Sequence, residues 1–598
     1  MTSPRLTVVQ SQPKLHRNWF KGSLDGKSEH LRPVSFTVRF RTSSSESWKW
    51  AHDQTGVHDG QLVFQPPLKT VLRRDDLSFY IDGLSKDIKI ASVRSEAPDT
   101  LLWSLTAPAV GARDDASGFT HHSFGLPSNY TRWFALVRLW SPWIAPRHGR
   151  GSKLADRSAI LYSFLRTDGL HVVVLAVSGI DDVLTVLKTS EHGGIDIQAR
   201  NDREEEGVAR VIVAVAPSFE QGIAACMYQA RHVVSDQVVL SEEERQAIAQ
   251  VNELAAKSRQ EEDGVKANWV QNWYDGFTYC TWNGLGQNLT EEKISGALSS
   301  LEKNGIKITN LIIDDNWQSL DHDGEGQMLR GWKDFPANPK GFPEGLGTAI
   351  SRIRKKYPAI QHVAVWHAIL GYWGGISPEG ELAKRYRTRT VDKDPNVIDI
   401  ADNKMLVIDA PDVKRMYDDF YTFLNKSGID SVKTDAQFMI DEISNASARC
   451  DLTNTYYNTW ISAQLRHFGG LAISCMSQTP TILFRCQLPT NLPAYPTRNS
   501  DDFFPDVEES HPWHIFCNAH NSLFTKHLNV LPDWDMVSLA FDLASRSLNV
   551  IFFVILITSS FKRPTPSLPS TQPPAPFQAA PSTLPTRRAT TTSLSSPR

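Results

Sequence analysis

Ser431-Val-Lys-Thr-Asp-Ala-Gln437 is the stretch whose reading decides the fold. It follows an amphipathic segment, Asp412 to Ser427, in which Val413, Met416, Tyr417, Phe420, Phe423 and Leu424 recur at helical spacing. Gly428 breaks that helix, and Ile429 to Val432 reads as a short buried strand. Side chains alternate along a strand, so Lys433 and Asp435 share one face at its C-terminal end. In a parallel α/β barrel that end carries the chemistry. Taken alone, a lysine two residues from an aspartate is an ordinary salt bridge. The recurrence of polar strand ends along the chain is what points to a site.

On the N-terminal side of this stretch, Thr290 caps a helix with Ile294, Ala297, Leu298 and Leu301 on one face, and the strand Ile308 to Ile313 finishes in Asp314-Asp315. A helix near Gly345 to Lys356 precedes the strand Gln361 to Trp366. On the C-terminal side, a helix from about Tyr456 to Phe468 leads to Leu471–Met476, and the next unit ends at Arg498-Asn-Ser-Asp-Asp502. The helix His514 to Lys526 then leads to Asn529–Asp535. Strand and helix alternating in this way predict a parallel barrel over residues 269–545.

Residues 1–238 read differently. Val34–Phe40 alternates, Ala159–Phe164, His171–Val177 and Arg210–Val215 are β-branched runs, and turn residues separate them at intervals suited to a β-sandwich. Loops such as Ser141–Arg147 lie between them, and no charged cluster in this half has a catalytic pattern. Residues 239–268 form a helical linker, with a Ser241/Glu244 capping box and a stripe of Ile248, Val251 and Leu254.

Composition narrows the function classes. A hydrophobic fraction of 41% in 598 residues supports several sizeable cores. The 63 basic residues are scattered among 66 acidic ones, which leaves no nucleic-acid footprint. Six widely spaced cysteines without a CxxC pair indicate neither a zinc site nor a disulfide scaffold. No metal set of mixed His and Cys is apparent, a carboxylate-only magnesium site is an open alternative without a supporting pattern, and no cofactor is expected. The first fifteen residues lack an apolar core and a small-residue cleavage site, which predicts a cytoplasmic protein.

The strand ends collect Trp282, Asp314, Asp315, Trp366, His367, Trp373, Lys433, Asp435, Arg498, Asp501, Asp502, Asp533 and Asp535. An isolated Asp-Asp pair is most simply rim scaffolding. Acids, indoles and one lysine at successive ends fit sugar chemistry better: carboxylates bind vicinal hydroxyls, aromatic faces pack on the ring, and two further carboxylates break the glycosidic bond.

These residues carry a family resemblance. Tyr279-Cys-Thr-Trp-Asn283, Leu311-Ile-Ile-Asp-Asp-Asn-Trp-Gln-Ser319, Val365-Trp-His-Ala368 with Gly371-Tyr-Trp-Gly-Gly375, Lys433-Thr-Asp435, Arg498-Asn-Ser-Asp-Asp502 and Leu531-Pro-Asp-Trp-Asp-Met536 together resemble glycoside hydrolase family 36. Within it they are most similar to the raffinose synthase, seed imbibition protein and alkaline α-galactosidase branch. The resemblance implies an N-terminal β-sandwich, a (β/α)8 barrel and a small C-terminal β-domain, acting on small-molecule galactosides without nucleic-acid or membrane partners. It puts the nucleophile on Asp435 and a sugar-hydroxyl donor on Lys433. It puts the acid/base on Asp502, with Asp501 an adjacent rival, and gives Arg498 the task of orienting the sugar. Asp314 and Asp315 would hold galactose hydroxyls, and Trp282 and Trp373 would wall the pocket. The implied reaction is retaining hydrolysis of terminal α-galactosides, the two catalytic carboxyls being about 5 to 5.5 Å apart. The alternatives are galactosyl transfer of the raffinose synthase type and an inactive sugar-binding remnant. An aldolase-type lyase with Lys433 as Schiff-base amine is disfavoured, since neighbouring acids keep that amine protonated.

The chain departs from the family after Met536. Val550–Ile557 is a bare apolar run, too short for a membrane span and readable as a surrogate eighth strand. Phe561–Arg598 has no acid and 9 of the chain's 34 prolines, so it reads as disordered. Val-Ser directly after Met536 is also what a retained intron donor would encode. On that reading residues 546–598 replace the barrel's end and the C-terminal domain, and the chain is expected to express poorly.

Overall fold

The computed structural model describes residues 75–191, 193–235, 272–282, 284–321, 326–394, 404–490, 492–504, 507 and 509–538, the strand Phe553–Ile555, and short pieces before residue 75 and within 241–249. The linker positions Val251 and Leu254 and the tail after residue 558 lie outside the described residues.

Eleven strands between Ile81 and Ala216 form one antiparallel hydrogen-bonded network. His171–Val177 shows why its sequence is unbroken apolar instead of alternating. Val172, Val174 and Ala176 enter a core with Trp103, Leu105, Phe124 and Ile197. Val173, Leu175 and Val177 face the helix Phe219–Ser235 and, beyond it, Leu483, Phe484 and Phe524. Both faces are buried, so no polar face is needed. The expected loop Ser141–Arg147 is instead a turn followed by the strand Trp143–Arg150. Among the described residues this strand pairs with Tyr130–Trp140 alone. An edge strand accommodates the missing N–H of Pro146, which a central strand does not.

The second sheet carries the site. Its parallel strands, in chain order and in spatial order, are β1 (Thr278–Cys280), β2 (Asn310–Ile313), β3 (His362–Ala368), β4 (Ser431–Asp435), β5 (Ala472–Ser474), β6 (Pro496–Arg498) and β7 (Leu531–Asp533). Helix α1 (Glu291–Lys303) connects β1 to β2, α2 (Leu346–Lys356) lies before β3, α3 (Ala410–Lys426) before β4, α4 (Ala446–Phe468) before β5 and α5 (Ser510–Thr525) before β7.

Local signals account for these elements. Thr290 caps α1 by accepting from the Lys293 N–H at 3.2 Å, and Ile294, Ala297, Leu298 and Leu301 are its buried face. On α3 the buried stripe is Val413, Met416, Tyr417, Phe420, Tyr421 and Leu424; Tyr421 takes the place expected of Phe423, which is half-buried. Gly428 adopts φ +80°, a left-handed turn open to glycine, and hands the chain from α3 to β4. The strand it leads into runs through Asp435, beyond the expected Ile429–Val432.

The sheet curls. Asp314, just past β2, and Lys433 of β4 are separated by β3, which in a flat sheet would put them roughly 10 Å apart. Their side chains meet at 2.7 Å. The expected eight-stranded closure is altered, however. Phe553–Ile555, inside the apolar run, pairs antiparallel with β1 and with Met536–Ser538, so it occupies the edge next to β1 in the wrong direction for a parallel eighth strand. Among the described residues, β7 and Met536–Ser538 are the two outermost strands of an open sheet. No helix among the described residues is long and apolar enough to cross a membrane.

Candidate active site

Parity along the strands decides which side chains face the concave side. In the β3–β4 register Trp366 lies opposite Lys433 and Ala368 opposite Asp435, so Trp366, Lys433 and Asp435 share a face. His367 and Thr434 share the other. His367 accordingly contacts Tyr421 Oη at 3.0 Å and Thr434 Oγ1 at 2.9 Å beneath α3, and burial pushes its pKa down to about 4. Its expected place at the rim is corrected: it is a scaffold residue, which the period of two already required.

Asp435 is 6% exposed. One carboxylate oxygen accepts from Trp366 Nε1 at 2.9 Å and the other from the Ala436 N–H at 2.7 Å. Ala436 takes φ +51°, a left-handed conformation rare for alanine, which turns the chain sharply after the carboxylate. Trp366 stacks on Trp373 (centroids 6.1 Å apart, planes at 30°), and Trp373 Nε1 donates to Asp315 Oδ2 at 3.2 Å. Asp435, Trp366, Trp373 and Asp315 thus form one connected wall.

Lys433 does not pair with its strand neighbour Asp435. Its long arm crosses β3 to Asp314 Oδ2 at 2.7 Å, with both side chains almost fully buried. Burial, the largest single influence, would lower the lysine's pKa, but Asp314 together with the other acidic groups around it raises it on balance and holds the ammonium charged. That protonated amine is unsuited to Schiff-base chemistry. Asp314 Oδ2 also accepts from Cys280 Sγ at 3.2 Å. Asp315 is pushed up to about 7, chiefly by burial, and Gln327 and the Asn316 N–H contact its oxygens.

The two rival carboxyls after β6 separate clearly. Asp502 lies in the field of Lys433, Arg498, Asp435 and Asp314, and burial, the largest influence, raises it to about 6. Asp501, also raised by burial, is hydrogen-bonded by the Trp513 side chain of α5. Arg498 is 1% exposed and is gripped by Asp533, at 3.2 Å, and by Asp535. Asp533 and Asp535, which the sequence places at a strand end without a task, are the partners of this arginine. Trp282 is half-buried just past β1, against the core that contains Trp366 and Trp373.

The segment after β4 is anchored to the N-terminal sheet. Asp441 meets Arg138 at 3.2 Å and Arg200 at 2.5 Å, and Trp140 packs edge-on against Phe438. Burial works against the Asp441 charge, but the two guanidiniums hold its pKa down to about 2. Because the folded pKa is depressed, this carboxylate stabilises the fold above its unfolded value near 4, and the contribution disappears as pH falls through about 2. Asp441→Ala removes the carboxylate that Arg138 and Arg200 share, leaving Arg200 with Asp202, and a loss of about 3 kcal/mol in a urea melt at pH 7 is expected.

A parallel sheet with acids, indoles and a lysine at its strand ends has the groups that binding and cleaving a sugar require. Comparison narrows the likeness: residues 257–546 match the family described as raffinose synthase or seed imbibition protein Sip1. It is 31% identical over 283 residues to a probable galactinol–sucrose galactosyltransferase 6 of Arabidopsis thaliana, covering 44% of this chain and 37% of that one. It is 21% identical over 382 residues to a stachyose synthase of Pisum sativum, covering 45% and 44%. The chain therefore spans less than half the length of these curated relatives. Among solved structures, an α-galactosidase of Thermus thermophilus in complex with stachyose superposes with a TM-score of 0.44 at 13% identity, covering 76% of this chain and 91% of that one.

Proposed function

We propose that this protein processes terminal α-galactosides by double displacement with retention, on an N-terminal β-sandwich and a modified (β/α)8 barrel. The observation that carries this is the shared field of Asp435 and Asp502: one carboxyl receives an indole N–H and a backbone N–H, while the other is raised to about 6 beside it. The two donors orient the Asp435 carboxyl for attack, and a raised pKa on Asp502 keeps the proton that an acid needs.

In the first step an Asp435 oxygen attacks the anomeric carbon while the glycosidic oxygen leaves with the proton of Asp502. In the second, ionised Asp502 takes a proton from an acceptor hydroxyl, whose oxygen attacks the same carbon and releases Asp435. Lys433, charge-paired with Asp314, and the Asp315 carboxyl hold the sugar's hydroxyls, and Trp282 and Trp373 pack on its ring. With water as acceptor the enzyme is an α-galactosidase. The names of the curated relatives favour a sugar acceptor, which would make it a galactosyltransferase.

Incubating the full chain with an α-galactoside, with and without sucrose, and separating the products tests both readings. Free galactose supports hydrolysis, and a new oligosaccharide supports transfer. Binding without either product would leave a sugar-binding remnant. The acid role also sets the pH dependence. Because Asp502 must be protonated to donate, kcat/KM should fall as pH rises through about 6, and that limb should vanish in Asp502→Asn.

A further inference from the structure

Ile144 belongs to the N-terminal sheet, yet both polar atoms of its backbone are bonded within the layer that supports the site. Its N–H donates to Gln478 Oε1 at 3.0 Å, and its carbonyl accepts from Asn521 Nδ2 at 2.9 Å. Trp143–Arg150 is an edge strand, and an edge strand leaves such groups available on its outer side. Gln478 follows β5 and Asn521 lies on α5; they are 1% and 0% exposed. Both amides then donate to one acceptor, the carbonyl oxygen of Asn499, at 3.0 Å from Gln478 and 2.8 Å from Asn521.

Asn499 adjoins Arg498 and precedes Asp502 by three residues. It is held from every side. Its N–H donates to the Asp533 carbonyl at 2.8 Å. Its side-chain amide donates to the Asn518 carbonyl at 3.0 Å and accepts from Thr525 Oγ1 at 2.8 Å. Asn518 also donates to Ser500 Oγ at 2.8 Å. His514, Asn518, Asn521 and Thr525 are buried polar residues spaced along one face of α5, where a surface helix would bury apolar ones. Buried hydrogen bonds that converge on one residue fix its position.

We infer that Gln478 and Asn521 are positioning residues for the proton donor: they carry the position of the Ile144 strand through the Asn499 carbonyl to the segment that ends in Asp502. The inference rests on the galactosyl reading above for the donor's task. It distinguishes these amides from mere fold glue, whose loss would weaken all substrates alike.

The test uses the full chain with Gln478→Met and, separately, Asn521→Leu, each of which breaks the bridge independently. Turnover of an alkyl α-galactoside, whose leaving group needs the proton, should fall about 10- to 100-fold, while p-nitrophenyl α-galactoside should fall less than about 3-fold. In parallel, isotope-edited infrared titration follows the Asp502 carboxyl, identified by its loss in Asp502→Asn. The groups facing it are Lys433, Arg498, Asp435 and Asp314. A loosened segment admits water, so its pKa should move down toward the ordinary carboxyl range in both variants. Equal losses on both substrates with an unmoved titration would overturn the inference, as would failure of both variants to fold. If the unsubstituted protein turns over neither galactoside, the galactosyl reading fails, and the infrared titration still decides whether the two amides position Asp502.

Discussion

Asp435→Ala is expected to lower galactoside turnover by at least about 10⁴-fold, because removing a nucleophile deletes the covalent step itself. Added azide should then restore consumption of an aryl α-galactoside and yield β-galactosyl azide. The vacated space lies beside Trp366 Nε1 and the Ala436 N–H, two donors already directed at a negative charge. A small anion placed there attacks the face opposite the leaving group and gives the inverted product. Product analysis by proton NMR distinguishes the anomers. Wild-type-like turnover by Asp435→Ala would end the assignment, and an α-azide would require a different route. The buried Lys433–Asp314 pair is untouched by this substitution, so the variant should retain its fold, which a thermal melt checks.

Asp502→Asn is the second large effect. Asparagine cannot donate a proton to a departing oxygen as a carboxylic acid does, so galactosides with poor leaving groups should lose about 10²- to 10⁴-fold in kcat/KM. A nitrophenolate leaves without help, and its release should change little. The comparison with Asp501→Asn is decisive. Asp502 shares its surroundings with Lys433, Arg498, Asp435 and Asp314, whereas Asp501 is bonded by Trp513. Leaving-group selectivity seen in Asp501→Asn and absent from Asp502→Asn would exchange the two roles.

Both predictions depend on contacts that local sequence does not contain. The pairing of Lys433 with Asp314 joins residues 119 positions apart. From sequence, the lysine's nearest acid is Asp435, on its own strand face; the strand order, with only β3 between β2 and β4, brings Asp314 within reach of its long arm. The same holds for Arg498, expected to orient the sugar, whose buried place between Asp533 and Asp535 depends on the next strand. Charge pairing inside a curled sheet is settled by which strands are neighbours.

What the sequence determined by itself is whatever repeats locally. Helical periodicity and the Thr290 cap define α1, the stripe on α3 and the turn at Gly428 lead into β4, and the period of two puts Lys433 and Asp435 on one face. Applied to β3, the same period would also have kept His367 out of the site. Tertiary structure alone decided the rest: that Trp143–Arg150 is a strand despite Pro146, because it lies at an edge; that Phe553–Ile555 joins β1 antiparallel; and that Ile144 reaches Asn499 through two buried amides. The physical reason is that periodicity and capping arise within a few residues of one another, whereas edges, curvature and buried hydrogen-bond partners exist only once distant segments have packed.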